Sequence, residues 1–159
     1  MNVQSLLSER AITARVEVQI LRPGAIPPRR HSAHAAGFDL AACPIDKASI
    51  TLEPGDIALI PCGIAIAIAH GYEGQVRPRS GLAMKFGISM PNAPGTIDSD
   101  YRGEVMVPLI NLGRAAFTVE PRMRIAQLVI APVARAEMVE VVQLSATERG
   151  TGGFGSTGV

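Results

Sequence analysis

Short apolar runs with a period of two recur along this chain, and turn signals separate them. Val16, Val18 and Ile20 alternate with Arg15, Glu17 and Gln19, and Ile64, Ile66 and Ile68 alternate with Ala65, Ala67 and Ala69. Val105 and Val107 repeat the pattern, as do Val139 and Val141. A period of two sends successive side chains to opposite faces of an extended backbone, so these runs predict strands. Between them stand Arg22-Pro-Gly24, Glu53-Pro-Gly55-Asp56, Pro61-Cys-Gly63, His70-Gly71, Pro91-Asn92 and Leu112-Gly113, residue types that reverse the chain. Many short strands so punctuated predict an all-β sandwich, barrel or jelly roll. The Ile-Ala alternation at 64–69 suits a strand covered on both faces, or one with a small-residue face for close sheet packing. Only Ser80 to Phe86 reads as a short helix, with good helix formers and a stop at Gly87.

At 159 residues the chain has single-domain size and is long enough to bury a core. Charged residues make up 18% and the formal net charge is +1, so no global field draws it to nucleic acid or an anionic membrane. Arginine dominates the basic side, with lysine only at Lys47 and Lys85. Guanidinium forks suit phosphate and carboxylate oxygens and favour an anionic ligand, although a GC-rich genome produces the same bias. Cys43 and Cys62 form neither a CxxC pair nor a ligand cluster, which predicts a reduced, cytoplasmic setting and two small buried side chains. Residues 1–15 carry Glu9, Arg10 and Arg15 and no unbroken apolar core, unlike a secretory signal. The most apolar run, 57–69, is too short to span a bilayer and is interrupted by Pro61 and Gly63, so a soluble protein with no membrane partner is expected.

Few segments carry groups for chemistry. Residues 92–103 read Asn92-Ala-Pro-Gly-Thr-Ile-Asp-Ser-Asp-Tyr-Arg-Gly103. Pro94-Gly95 predicts a tight hairpin, with Asp98 and Asp100 just ahead of the Tyr101 ring. Unpaired backbone groups at such a tip can pair with a small planar polar ligand, and a carboxylate near a ring can handle a water and a ring face together. A polar loop is the alternative. Asp98 and Tyr101 are an odd number of residues apart, so a straight strand would point them to opposite faces. Sharing one site requires a twist, bulge or bend.

Arg77-Pro-Arg79-Ser-Gly81 leads into the helix. Ser80 is expected to cap it so that the first N–H groups face an anion, with Arg79 adding a fork and Gly81 allowing close approach. An ordinary capped helix with two surface arginines is the alternative. The tail Arg149-Gly-Thr-Gly-Gly-Phe-Gly-Ser-Thr-Gly158 resembles a phosphate-cradling loop without the Lys-Ser/Thr ending of a P-loop. It is expected to be mobile until bound, and Arg149 and Phe154 suit a lid that clamps one group and stacks on another. Asp39, within Ala36-Gly-Phe-Asp-Leu40, reads as a turn carboxylate or an anchor near a metal. His31, His34 and His70 lack metal-ligand spacing and read as solvent or packing side chains. No serine stands in a G-x-S-x-G context, so nothing supports a covalent acyl route.

In chain order, Ala36-Gly-Phe-Asp-Leu40, Pro78-Arg-Ser-Gly-Leu-Ala-Met-Lys85, residues 92–103, Arg124-Ile-Ala-Gln-Leu128 and the tail 149–158 resemble the five motifs of the trimeric dUTPase family. The resemblance implies a jelly-roll-like β-barrel subunit with one short helix, assembling as a homotrimer whose active sites draw on all three chains. It divides the chain into an extension without assigned role (1–15), a β domain (16–145) and a mobile arm that closes a site (146–159). The implied reaction is hydrolysis of dUTP to dUMP and pyrophosphate, by Mg²⁺-assisted water attack on the α-phosphate. Asp98 would orient and deprotonate that water and touch the sugar 3′-hydroxyl. Tyr101 would pack under the deoxyribose and leave no room for a 2′-hydroxyl. Asn92 and backbone groups near Thr96, Ile97 and Met106 would read the uracil edge. Arg79, Ser80, Gly81 and Gln127 would hold phosphate oxygens, Arg149 would clamp the terminal phosphate, Phe154 would stack on uracil, and Asp39 would meet Mg²⁺ through its waters.

The nearest rival is dCTP deaminase, a family of similar fold and nucleotide site that releases a base amine. Its pattern carries a catalytic glutamate where this chain has Pro108, which can neither relay a proton nor donate a strand hydrogen bond. It also has Pro-Gly where this chain has Ser99-Asp100. A non-catalytic nucleotide-binding trimer is the other rival, but such a descendant would be expected to lose Asp98, the Arg79-Ser80 pair or the tail arginine, and all three are present.

Overall fold

The computed structural model describes residues 14–46 and 48–153. Along the chain follow β1 (Val16–Ile20), β2 (Phe38–Ala41), β3 (Ile50–Leu52), β4 (Ile57–Ile68), β5 (Tyr72–Pro78), α1 (Ser80–Phe86), β6 (Ile88–Ser89), β7 (Gly95–Ile97), β8 (Glu104–Asn111), β9 (Phe117–Val119) and β10 (Arg124–Pro132). One four-stranded sheet has the order β1-β4-β8-β6, a second has β2-β10-β5-β7, and β3 and β9 make a two-stranded ribbon. Every pairing among these strands is antiparallel. Both large sheets and the ribbon contribute to one core, which joins Leu40, Leu52, Ile66, Val76, Val107, Val119 and Leu128. This is the all-β, jelly-roll-like arrangement with one short helix that the alternation and the motifs lead one to expect.

β4 explains the Ile-Ala pattern. It lies between β1 and β8, and Ile64, Ala65, Ile66 and Ile68 are all buried. Along β8, Val105, Val107 and Leu109 face the core while Glu104, Met106 and Pro108 are more exposed, which is the period of two at work. Asn111 closes that strand as a fully buried polar group. Its Nδ2 donates to the carbonyls of Leu52 and Ala115, each at 2.9 Å, and its Oδ1 accepts from the Gly113 N–H. With every such bond made, its burial carries no unsatisfied cost.

Four local expectations are corrected. Pro61-Cys-Gly63 does not end a strand, because β4 runs through it while its register against β8 shifts between Pro61 and Ala65. Gly63 takes φ of 69° there, in the left-handed region that glycine enters without steric cost, so the turn signal marks a bulge. Ser80 is not the cap of α1. Arg79 holds the N-cap position with no side-chain cap bond, and Ser80 is the first helical residue. Val139 and Val141 join no strand, and Met138 and Leu144 nearby are 92% and 82% exposed. Periodicity shows that a segment has a face to bury, but it does not supply a partner.

The fourth correction concerns residues 92–103. β7 pairs with β5 and β8 pairs with β4 and β6, so the strands flanking this segment belong to different sheets. The segment is a corner between sheets, not a hairpin tip, and Pro94-Gly95 opens onto β7. The chain reverses at Asp98, whose carbonyl accepts from the Tyr101 N–H at 3.1 Å. That turn dissolves the parity problem, since Asp98 and Tyr101 do not share a strand.

A Cβ on Gly63 would lie 2.8 Å from the Ala25 Cβ and 2.9 Å from the Cys43 Sγ, whereas one on Gly55 would meet nothing within 4 Å. Gly63→Ala is therefore expected to destabilise the fold by roughly 2–5 kcal/mol, from backbone strain plus overpacking. Gly55→Ala, with strain alone, should cost about 1–2 kcal/mol. Denaturant unfolding of the two variants measures the difference.

Candidate active site

The corner builds a cavity of about 340 Å³ lined by Leu59, Thr96, Ile97, Asp98, Tyr101, Glu104, Val105 and Met106. Strand β7 delivers Thr96 and Ile97, the turn delivers Asp98 and Tyr101, and the start of β8 delivers Glu104 and Met106. The carboxylate of Asp98 is exposed at one side, and Tyr101 is 44% exposed. A wider cavity of about 640 Å³ beyond the corner also touches Asp98 but is lined by His70, Glu73, Asp100 and Arg135. The smaller one is the candidate site, because it alone joins the carboxylate to the ring and to the backbone of residues 96 and 97.

Tyr101 is held from two sides. Its hydroxyl donates to the Glu104 carbonyl at 2.9 Å. Its ring lies against Gly103, where a Cβ would come within 2.4 Å of the hydroxyl oxygen. Glu104 is itself anchored. Arg22 Nη1 donates to its Oε1 at 2.6 Å, Arg22 Nη2 pairs with its Oε2, and the Gly63 N–H donates to Oε1 at 2.7 Å. The two side chains keep 20% and 18% of their surface. Hydrogen bonding from Arg22 holds the Glu104 carboxyl below its ordinary 4.5, against the opposing effect of partial burial and with help from the Gly63 N–H. Arg22 also donates to the Cys43 carbonyl at 3.0 Å. The neighbouring Cys62 thiol is pushed up to about 12 by burial, so it stays protonated and inert, in keeping with a packing role.

A second group of functional side chains gathers on β2 and β10. Asp39 is buried opposite Gln127 in the ladder. Its Oδ2 accepts from Arg124 Nη1 at 2.8 Å and lies 3.1 Å from His31 Nε2. Its Oδ1 accepts from Gln127 Nε2 at 3.2 Å and lies 3.7 Å from Arg79 Nε. Arg79 also donates to the Arg124 carbonyl at 2.9 Å, which turns its side chain back over the sheet. Asp39 is thus the shared partner of two guanidinium groups, an amide and a histidine. His31, read from sequence as a solvent or packing side chain, belongs to this cluster, and so does Arg124.

The remaining expected residues are more loosely placed. Ser80 and Gly81 are exposed at the start of α1, and a Cβ on Gly81 would meet nothing within 4 Å. Asn92 is exposed, with its Nδ2 3.2 Å from where a Gly95 Cβ would stand. Arg149 is exposed and its Nε donates to the Gly152 carbonyl at 2.9 Å, within its own segment. Phe154 lies outside the described residues.

One chain does not bring the two groups together. Ile97 pairs with Gly74 near the start of β5, whereas Arg79 follows its far end. Five residues of extended strand separate them, roughly 17 Å at 3.3 Å per residue. Within one chain the two groups stay separate: Asp39 and Gln127 share a ladder row with Arg77, whereas Thr96 pairs with Gln75, and the cavity is also lined by β4 and β8 of the other sheet.

The sequence signature of the dUTPase family matches residues 23–158. The chain belongs to the dUTPase family. It is 66% identical over 125 residues to the deoxyuridine 5′-triphosphate nucleotidohydrolase of Desulfotalea psychrophila, covering 79% of this chain and 82% of that protein. The corresponding enzyme of Rhizobium etli is 58% identical over 132 residues, covering 83% and 85%. The dUTPase of Staphylococcus bacteriophage 80alpha, solved with dUPNHPP, superposes with a TM-score of 0.82 at 28% identity, over 91% of this chain and 99% of that one. The match spans all five segments quoted from the sequence, so family and fold stand as the motifs implied.

Because the Glu104 pKa is depressed in the fold, its contribution to stability is full above the ordinary value of 4.5 and is lost as pH falls through the lower folded value. The stability difference between wild type and Glu104→Gln is expected to be largest near neutral pH and to shrink on acidification below that value. Thermal unfolding of both proteins across pH 2–7 measures it, and a constant difference would remove the ion pair from the account.

Proposed function

We propose that the chain hydrolyses dUTP to dUMP and pyrophosphate, supplying dUMP for thymidylate synthesis, with Asp98 as the general base. The observation that carries this reading is the corner, which sets an exposed carboxylate and an aromatic ring on the rim of one nucleoside-sized cavity. Thr96, Ile97 and Met106 line that cavity and would offer backbone groups to the uracil edge, with Asn92 alongside. Tyr101 would support the deoxyribose. Asp98 would hold a water in line with the α-phosphorus and take its proton, a role that contributes about 10²–10⁴ to rate.

The triphosphate would lie on Arg79, Ser80, Gly81 and Gln127. The ion pairs within the Asp39 cluster orient Arg79 before any ligand arrives, so less rotamer entropy is lost on binding. Arg149 and Phe154 would close over the terminal phosphate and the base. In the homotrimer that the family resemblance implies, the cavity of one subunit would be completed by the Asp39 cluster of another. Met138, Val139, Val141, Val142 and Leu144 are exposed apolar side chains outside any strand among the described residues, and a neighbouring subunit would give them a surface to cover.

The donor set fits Mg²⁺ carried in by the triphosphate, not an ion caged by protein. Among the described residues no three His, Cys, Asp or Glu side chains gather as a metal group, and both oxygens of Asp39 are already engaged. Mg²⁺ keeps several waters and binds through substrate phosphates, so Asp39 would meet the ion through those waters. When bound, the ion disperses charge developing on the leaving pyrophosphate. The free cysteines, Cys43 and Cys62, suit a cytoplasmic location. No helix among the described residues is long and apolar enough to cross a membrane.

Pyrophosphate release with Mg²⁺, compared for dUTP, dTTP, dCTP and UTP, tests the reading, and ammonia release from dCTP would point to the deaminase instead. Asp98→Asn is expected to bind nucleotide normally and to lose about two to four orders of magnitude in kcat, and near-normal turnover would remove Asp98 as the base. Deletion of residues 149–159 should abolish most turnover while leaving the unfolding midpoint unchanged, and retained activity would exclude a closing arm.

A further inference from the structure

The Arg22–Glu104 pair takes no part in the chemistry just described, yet it is the most enclosed ion pair outside the Asp39 cluster among the described residues. Its place is informative. Tyr101, the ring on the rim of the cavity, stands on an exposed corner and is tied to the main chain of Glu104. The side chain of Glu104 is tied in turn to the bulge of β4 through Gly63 and, through Arg22, to the Cys43 carbonyl. A chain of hydrogen bonds thus runs from the core to the ring, and Arg22 stands outside the cavity that the ring lines.

Resting on the dUTP reading, we propose that Arg22, acting through Glu104, is a positioning residue for sugar selectivity: it keeps the Tyr101 wall from yielding to a ribose 2′-hydroxyl. The physical need is clear. A yielding apolar pocket rejects a ligand with one added hydroxyl by only about 10²-fold, because the wall retreats and the hydroxyl finds water. Stronger rejection requires a wall whose displacement breaks strong bonds. Moving Tyr101 away means stretching its bond to Glu104 or pulling a partly buried carboxylate off a bidentate guanidinium, which leaves that charge uncompensated.

The test compares kcat and KM for dUTP and UTP in wild type, Arg22→Lys and Arg22→Met, with folding of each checked by thermal unfolding. Lysine keeps the charge but cannot bridge both carboxylate oxygens while reaching the Cys43 carbonyl. The expected result is a fall of about tenfold or more in the dUTP/UTP ratio of kcat/KM, through improved use of UTP, while kcat for dUTP stays within about threefold of wild type. Lys should fall between wild type and Met. A purely structural pair would lower the unfolding midpoint and leave the ratio untouched. A selective wild type with an equally selective, folded Arg22→Lys overturns this proposal alone. A wild type that does not prefer dUTP overturns the dUTP reading beneath it.

Discussion

The carboxylate of Glu104 receives a bidentate guanidinium from Arg22 and the backbone N–H of Gly63, and the corner that carries the candidate site hangs from that junction. Each partner comes from a different part of the fold: the loop after β1, the bulge in β4 and the first residue of β8. Without Gly63 in a left-handed conformation its N–H would not face the carboxylate, and without the bulge β4 would keep its register with β8. The corner then leaves the sheet at a fixed point, and the Tyr101 ring is held at the cavity. A partly buried charge that satisfied fewer donors would be a liability, and here three donors meet it.

The same rule governs the far end of the second sheet. Arginines clustered to receive a triphosphate repel one another before the ligand comes. Asp39, seated between Arg79 and Arg124, offsets that repulsion and holds both side chains near the surface they would present to phosphate. Asp39, in the first of the five motifs, thus organises two guanidinium groups.

Much of the fold could be read from period-two alternation, because burial on one face is a property each strand carries locally. β1, the second half of β4 and β8 follow directly from it, and the short helix follows from its helix formers and the stop at Gly87. Pairing is different, since it depends on distant segments. Pro61-Cys-Gly63 has the composition of a turn, and only its neighbours on β1 and β8 make it a bulge. Val139 and Val141 alternate correctly and still find no strand among the described residues. The site shows the same division. Asp98, Tyr101, Arg79 and Gln127 stand in contiguous motifs and could be named from sequence, whereas the Arg22–Glu104 pair joins residues 82 apart and left no local signal. In the sequence Arg22 reads only as part of a turn. The sequence placed Asp98 and Tyr101 in one segment but could not show how they face one site; the sheet-to-sheet corner resolves that.

On the proposed reading, the corner cavity would receive the nucleoside and the Asp39 cluster of another subunit would receive its phosphates. A crystal structure of the protein with dUPNHPP and Mg²⁺ tests it most directly. The expected result is a base against Thr96, Ile97 and Met106, a deoxyribose on Tyr101, a water between Asp98 and the α-phosphorus, and a triphosphate on Arg79 and Gln127 of a neighbouring chain. A nucleotide bound wholly within one subunit, or seated away from Asp98 in the wider cavity beside Glu73 and Arg135, would contradict it.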